Sequence, residues 1–71
     1  MIEEATMKNP FVPFKFKNGG VLNVNVNYIT AFAYVESRDE TSVAILGESK
    51  EIYFPGNQLP SVFRTLASLE K

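Results

Sequence analysis

The residue types that most often do chemistry in proteins are scarce in this chain. It has no histidine and no cysteine, which removes the commonest general base, the commonest metal ligands and the best nucleophile. Ser49 and Lys50 could act as a nucleophile and a base, but adjacent residues in a turn normally both face water. The eight acidic residues fall in the first residues, in or beside predicted turns, or near the end. We therefore expect no catalytic residue, no metal ligand and no cofactor, and a protein that is not an enzyme.

Two short motifs could bind an ion, and each has a simpler interpretation. Gly19 and Gly20 could cradle a phosphate, but phosphate loops normally open a helix. Here Asn18, Gly19 and Gly20 stand between two strand patterns, which predicts a tight hairpin turn. Asp39 and Glu40 lack the ligand spacing of a calcium loop.

The length and composition predict a single small domain. A chain of 71 residues, 45% of them hydrophobic, allows one core. Residues 1–9 have no apolar period and end before Pro10, so we expect a flexible arm there and one domain over residues 10–71. No run approaches the roughly 20 apolar residues of a membrane span. The polar, acidic start differs from a signal peptide, so we expect a cytoplasmic protein without membrane insertion.

Apolar periodicity predicts five strands and one helix. Alternating patterns place the strands at about residues 11–17, 21–26, 31–36, 41–46 and 51–54. The tail is different, because an apolar stripe recurs there at three and four residues: Leu59, Val62, Phe63, Leu66 and Leu69. The predicted fold class is α+β, an antiparallel meander of about five strands with one C-terminal helix packed on it.

A row of asparagines interrupts the apolar residues of VLNVNVN. Asn is a poor strand former, so Asn23 and Asn25 either face solvent or bind a neighbouring chain or a base edge. Periodicity favours the solvent side for both Asn23 and Asn25, and it leaves open whether this face binds anything. We interpret Asn25 and Asn27, like Asn18, Gly19 and Gly20, as structural turn residues, with an Asn side chain bonding nearby backbone.

Aromatic residues are numerous for so short a chain. Six phenylalanines and three tyrosines, with apolar residues on both faces of strands 31–35 and 52–54, exceed what one helix can cover. Either the sheet curls towards a barrel or its second face meets a partner. We expect an unidentified protein partner and a homo-oligomer formed through strand edges or sheet faces. The candidate interaction surface consists of Phe14, Lys15, Lys17, Phe32, Tyr34 and Tyr53.

A nucleic-acid-binding accessory or regulatory domain is the alternative. Such domains draw most of their affinity from basic residues, whereas seven basic and eight acidic residues give this chain a net charge of −1. Lys15 and Lys17 could still form a local patch with Lys8 and Lys50. A small-ligand sensor is a third class, but its pocket would have to open the core of a very small domain. The composition favours a protein partner over both.

The stretch from Phe16 to Leu66 resembles the FlbD/SwrD family of small proteins encoded among bacterial flagellar genes. Asn18-Gly19 matches the first turn of the family pattern. The run VNVNYI, from Val24 to Ile29, matches its middle motif, with Asn27 where Asp is usual. The run from Thr41 to Gly47 matches the strand that begins with Thr and the turn after it, and the amphipathic tail matches the helix.

The sequence also departs from the family pattern. The turn from Gly47 to Lys50 is longer than usual, the first nine residues are extra, and the usual acidic residues at the helix start are absent. The resemblance implies a shared fold and support of motility through protein contacts, and it supplies no catalytic residues. The layout also looks like the LytTR type of DNA-binding domain, although basic DNA-reading loops are not obvious here.

Overall fold

The computed structural model describes residues 9–70, so the predicted arm lies, apart from Asn9, outside the described residues. The elements in chain order are β1 (Phe11–Lys15), β2 (Val21–Asn25), a 3-10 turn (Val26–Tyr28), β3 (Ile29–Val35), a 3-10 turn (Glu36–Arg38), β4 (Glu40–Ile45), β5 (Ile52–Pro55) and α1 (Leu59–Leu69). The predicted α+β class, antiparallel strands with one C-terminal helix packed on them, is confirmed.

The five strands divide between two antiparallel sheets. β1 pairs with β2 as a hairpin, and β3, β4 and β5 form the second sheet in that order. The division falls at the turn after β2, where Asn25 Oδ1 accepts hydrogen bonds from Asn27 N at 2.9 Å and from Asn27 Nδ2 at 3.0 Å. These local bonds turn the chain into the 3-10 turn, so β2 and β3 follow each other in sequence without pairing.

The core lies between the two sheets and α1. Its buried apolar residues are Val12, Phe14, Val24, Val26, Val43, Phe54 and Val62. Phe14 stacks on Phe54, with ring centroids 4.6 Å apart and an interplanar angle of 12°. The prediction that Phe14 belongs to an interaction surface is therefore wrong, because β5 and α1 cover the apolar face of β1.

The helix buries a narrower stripe than the sequence suggests. Val62 and Thr65 are its buried residues, and the Thr65 hydroxyl donates to Ser61 O at 3.1 Å, which satisfies it within the helix. Phe63 is 54% exposed, and its ring lies edge-on to that of Phe32, with centroids 5.8 Å apart. Phe63 thus lies at the margin of the helix contact.

Gln58 and Thr41 join the two sheets at the start of α1. The fully buried Thr41 hydroxyl accepts from Gln58 N at 2.8 Å and donates to Gly56 O at 2.7 Å. The Gln58 side chain accepts from Lys15 N at 2.8 Å and donates to Lys15 O at 2.9 Å and to Pro55 O at 2.8 Å. Gln58 therefore occupies the outer edge of β1, where a further strand would otherwise pair.

Candidate functional site

An apolar groove of about 670 Å³ opens beside β2, where the two sheets part. Leu22 and Val24 reach it from β2, while Ile45 and Ile52 reach it from the second sheet. Its apolar lining is completed by two side chains that remain well exposed, Phe11 at 44% and Tyr28 at 55%. The polar residues of the lining are Asn23, Asn25 and Glu48. The groove can therefore hold apolar side chains, with a few hydrogen-bonding groups and one charge among them.

The free edge of β2 borders this groove. β1 lies on one side of β2, and no other described strand pairs with it. Phe16 N donates to Gly20 O at 2.7 Å, and Pro13, which has no N–H, lies opposite Asn23. Phe16 and Gly20 therefore form a hydrogen-bonded pair of the β1–β2 ladder. Because hydrogen-bonded and non-hydrogen-bonded pairs alternate in an antiparallel ladder, Pro13 and Asn23, three positions further along, form a non-hydrogen-bonded pair. The backbone groups that point away from β1 are those of Val21, Asn23 and Asn25.

The outer edge of β1, by contrast, is closed. Phe11 N donates to Asn9 Oδ1 at 3.0 Å, and Pro13 has no N–H to offer. Both backbone groups of Lys15 bond to the Gln58 side chain. Proline, lysine and a covering side chain are common protections of a sheet edge. The sequence of β2, VLNVN, has no charge and no proline, so it carries none of them.

The predicted interaction residues do not form one surface. Phe14 lies in the core, and Lys15 projects from β1 with its backbone held by Gln58. Phe32 is half-buried against Phe63 on the helix side of the molecule. The groove residues contributed by β4 and β5 lie outside the predicted surface. A sequence signal for the groove exists in β2, an uncharged strand whose hairpin partner, β1, contains proline.

Lys17 and Tyr53 are the two predicted residues that share a site, a polar cleft of about 340 Å³. Arg38 lies over the Tyr53 ring, with its guanidinium carbon 4.8 Å from the centroid, a cation–π contact. Arg38 Nε also forms an ion pair with Glu40, 3.2 Å from Oε1. Glu40 Oε1 is buried, and the geometry of this ion pair does not meet the criteria for a hydrogen bond. Asp39 lines the same cleft. Two basic and two acidic residues therefore leave the cleft close to neutral.

Tyr34 makes a short hydrogen bond beside this cleft. Its hydroxyl donates to Asp39 Oδ1 at 2.5 Å, and this bond, with desolvation and the negative charges of Asp39 and Glu36, raises the pKa of Tyr34 above 10.0. A raised pKa means that the folded state favours the neutral phenol. The resulting contribution to stability is present below about pH 10 and is lost as the pH rises through the pKa of the folded state.

Asp39→Asn should lower the pKa of Tyr34 towards its ordinary value. Asparagine tolerates the left-handed backbone of residue 39, whose φ is 51°, so the substitution removes the charge and keeps the turn. The measurement is an ultraviolet absorbance titration, with Tyr34→Phe identifying the tyrosine concerned. Glu51→Gln is the matched control, since Glu51 Oε1 accepts from the Tyr53 hydroxyl at 3.3 Å. A Tyr34 titration unchanged by Asp39→Asn would contradict the assignment.

Other chemistry finds little support in the described part of the chain. Residues 9–70 contain no group of three or more His, Cys, Asp or Glu side chains placed to hold a metal ion. Within the same range, no helix is long and apolar enough to cross a membrane.

Comparison with known proteins adds no relative to this picture. Neither protein-family models, nor curated proteins, nor solved structures give a match to the chain. The resemblances to the FlbD/SwrD family and to the LytTR type therefore stay predictions.

Proposed function

We propose that this chain is a small, non-enzymatic protein-interaction domain that binds through the apolar groove beside β2. The observation that carries the proposal is the exposure of Phe11 and Tyr28 beside half-buried Ile45 and Ile52. Clustered apolar side chains left open to water, with a few polar groups among them, are typical of surfaces that another protein covers. The lining offers no thiol or imidazole that could serve as a nucleophile or base.

The proposal extends to process, location and assembly. Support of motility, or of another bacterial accessory process, follows from the resemblance of the stretch 16–66 to the FlbD/SwrD family. A cytoplasmic location fits a chain without cysteine, because such a chain needs no oxidising compartment. Homo-oligomerisation fits a chain of 71 residues, since small domains bury too little surface alone and gain from covering an open groove.

A nucleic-acid-binding accessory or regulatory domain is the alternative function. The polar cleft supplies Lys17, Arg38 and the Tyr53 ring, which are suitable contacts for phosphate and base. Asp39 and Glu40 line the same cleft, however, and would repel a phosphate backbone. This balance of charge makes the apolar groove the better-supported binding site.

The test is capture from lysate of the natural host, with tagged protein, with and without nuclease. Tyr28→Lys places a charge in the groove, and Leu46→Lys places the same charge at a site that is 67% exposed and outside the groove lining. We expect the wild type and Leu46→Lys to retain the same stoichiometric protein after nuclease. Tyr28→Lys should reduce the recovery of that protein by about tenfold or more. A few aromatic side chains near the centre of an interface carry most of the binding energy, and the substitution replaces one of them with a charge.

Two results would contradict the proposed function. Recovery that collapses with nuclease in the wild type would favour the nucleic-acid alternative, and Lys15 and Lys17 would be the first residues to neutralise. Equal losses in Tyr28→Lys and Leu46→Lys would show that the groove is not the binding surface. Circular dichroism of both variants checks that each keeps the wild-type fold.

A further inference from the structure

The free edge of β2 is complementary to itself. We propose that β2 pairs antiparallel with β2 of a second copy of this chain, about a two-fold axis at Asn23, so that the groove is the seam of a homodimer. The inference rests on the proposed function, since it names the occupant of the groove that the function assigns to protein binding.

The backbone supports one register. The outward groups belong to Val21, Asn23 and Asn25, so a second strand must present its own outward groups at the same pairs. With the axis at Asn23, Asn23 faces Asn23 of the second copy and Val21 faces its Asn25. Val21 and Asn23 then gain a partner for both their outward N–H and C=O groups, and Asn25 gains one for its N–H, since its C=O already accepts the first bond of the 3-10 turn. A register shifted by one residue would face outward groups with inward ones.

The side chains agree with this register. Leu22 lies opposite Val24 of the second copy in a non-bonded pair, the kind of pair in which antiparallel side chains come closest. Leu22 and Val24 both line the groove, together with Ile45 and Ile52. The added strand therefore places its own Leu22 and Val24 beside this apolar lining. Asn23 meets its own copy, and two amides can donate to and accept from each other. Because residues 21–25 carry no charge, no like charges meet between the two paired strands.

The other described edges are less open than that of β2. The edge of β1 is closed by Asn9, Pro13 and Gln58. β3 has a register irregularity between Ile29 and Ala31, and α1 packs against it. β5 ends at Pro55, whose carbonyl accepts from Gln58 Nε2 at 2.8 Å. Among the described edge strands, β2 is the one that has no charge, no proline and no register irregularity, and the apolar groove lies beside it.

Charge reversal at the axis is the first test. Asn23 is exposed, so Asn23→Lys and Asn23→Glu should both fold. Each variant alone would place like charges opposite each other, and its dimer should weaken by about tenfold or more in sedimentation equilibrium. An equimolar mixture should form a heterodimer at least as tight as the wild-type dimer. Ser37→Lys and Ser37→Glu, in an exposed 3-10 turn that does not line the groove, are the matched controls and should dimerise like the wild type.

Backbone deletion at the same residue is the second test. Asn23→Pro removes an N–H that points away from β1, so the hairpin ladder is retained, as it is around Pro13 on the other strand. We expect a folded monomer by circular dichroism and sedimentation. Asn23→Thr keeps the N–H, and we expect it to dimerise like the wild type.

Several outcomes would overturn the inference. One is a wild-type protein that stays monomeric up to millimolar concentration. Others are charged variants that dimerise as well as the wild type, or a mixture that forms no heterodimer. These results leave the proposed function standing. The proposed function is tested separately, by whether Tyr28→Lys reduces the capture of a protein from lysate. Conversely, a protein that dimerises through β2 but captures no other protein would support the inference and contradict a partner other than a second copy.

Discussion

Replacing Phe54 with alanine should lower the free energy of unfolding by about 3–5 kcal/mol. Phe54 is fully buried, and its ring stacks on Phe14 at 4.6 Å, so one side chain holds the hairpin against the three-stranded sheet. The loss combines the transfer of a large apolar side chain with the cavity left between two sheets that cannot fully collapse. A domain of this size has a stability of roughly 5 kcal/mol, so the variant should be largely unfolded on warming. Urea titration followed by circular dichroism measures the change.

Phe16→Ala is the control for Phe54→Ala. Phe16 also touches Phe54, with centroids 5.2 Å apart and an interplanar angle of 45°, but it is 37% exposed. Its removal leaves a solvent-filled notch instead of a closed cavity, and we expect a loss of about 1 kcal/mol. Equal losses for the two variants would show that the stacked pair does not join the sheets as the structure indicates.

Thr41→Val should lower the free energy of unfolding by about 2–4 kcal/mol, although valine has nearly the same shape. The Thr41 hydroxyl is fully buried, accepts from Gln58 N at 2.8 Å and donates to Gly56 O at 2.7 Å. Valine would leave that N–H and that carbonyl without their hydroxyl partner beside the core. The change should also disturb the Gln58 side chain and its two bonds to Lys15. Urea titration gives the loss of stability.

Thr41→Ser separates the hydroxyl from the methyl group. Serine keeps both hydrogen bonds and removes only the methyl, so we expect a loss of about 1 kcal/mol. If Thr41→Ser lowers the free energy of unfolding as much as Thr41→Val does, the stabilisation by Thr41 comes from the packing of its methyl group. That result would contradict the role given to the hydroxyl at the junction of the sheets.

Local chemistry explains what could be predicted from the sequence. The hairpin turn follows from Asn18, Gly19 and Gly20, since Gly19 adopts a φ of 94° and Asn18 Oδ1 accepts from Gly20 N at 2.9 Å. The α+β class follows from a switch in apolar period before α1. Each of these features depends on residues within a few positions of one another.

Long-range pairing explains what could not be predicted. Alternation shows that Phe14 and Lys15 face opposite ways, but the arrival of β5 and α1 decides that the Phe14 face is closed. Gln58 closes the β1 edge from 43 residues away, a contact that no local pattern indicates. The groove likewise exists only because Asn25 turns the chain and parts two sheets, which brings Ile45 near β2.

Amide hydrogen exchange at two neighbouring residues of β2 shows whether its free edge binds another strand. Val24 N–H points towards β1, whereas Asn23 N–H points outward. We predict that Val24 is protected at every protein concentration, and that protection of Asn23 rises with concentration as the second strand pairs. An Asn23 amide that exchanges freely at every concentration, while Val24 stays protected, would show that no strand pairs with the free edge of β2.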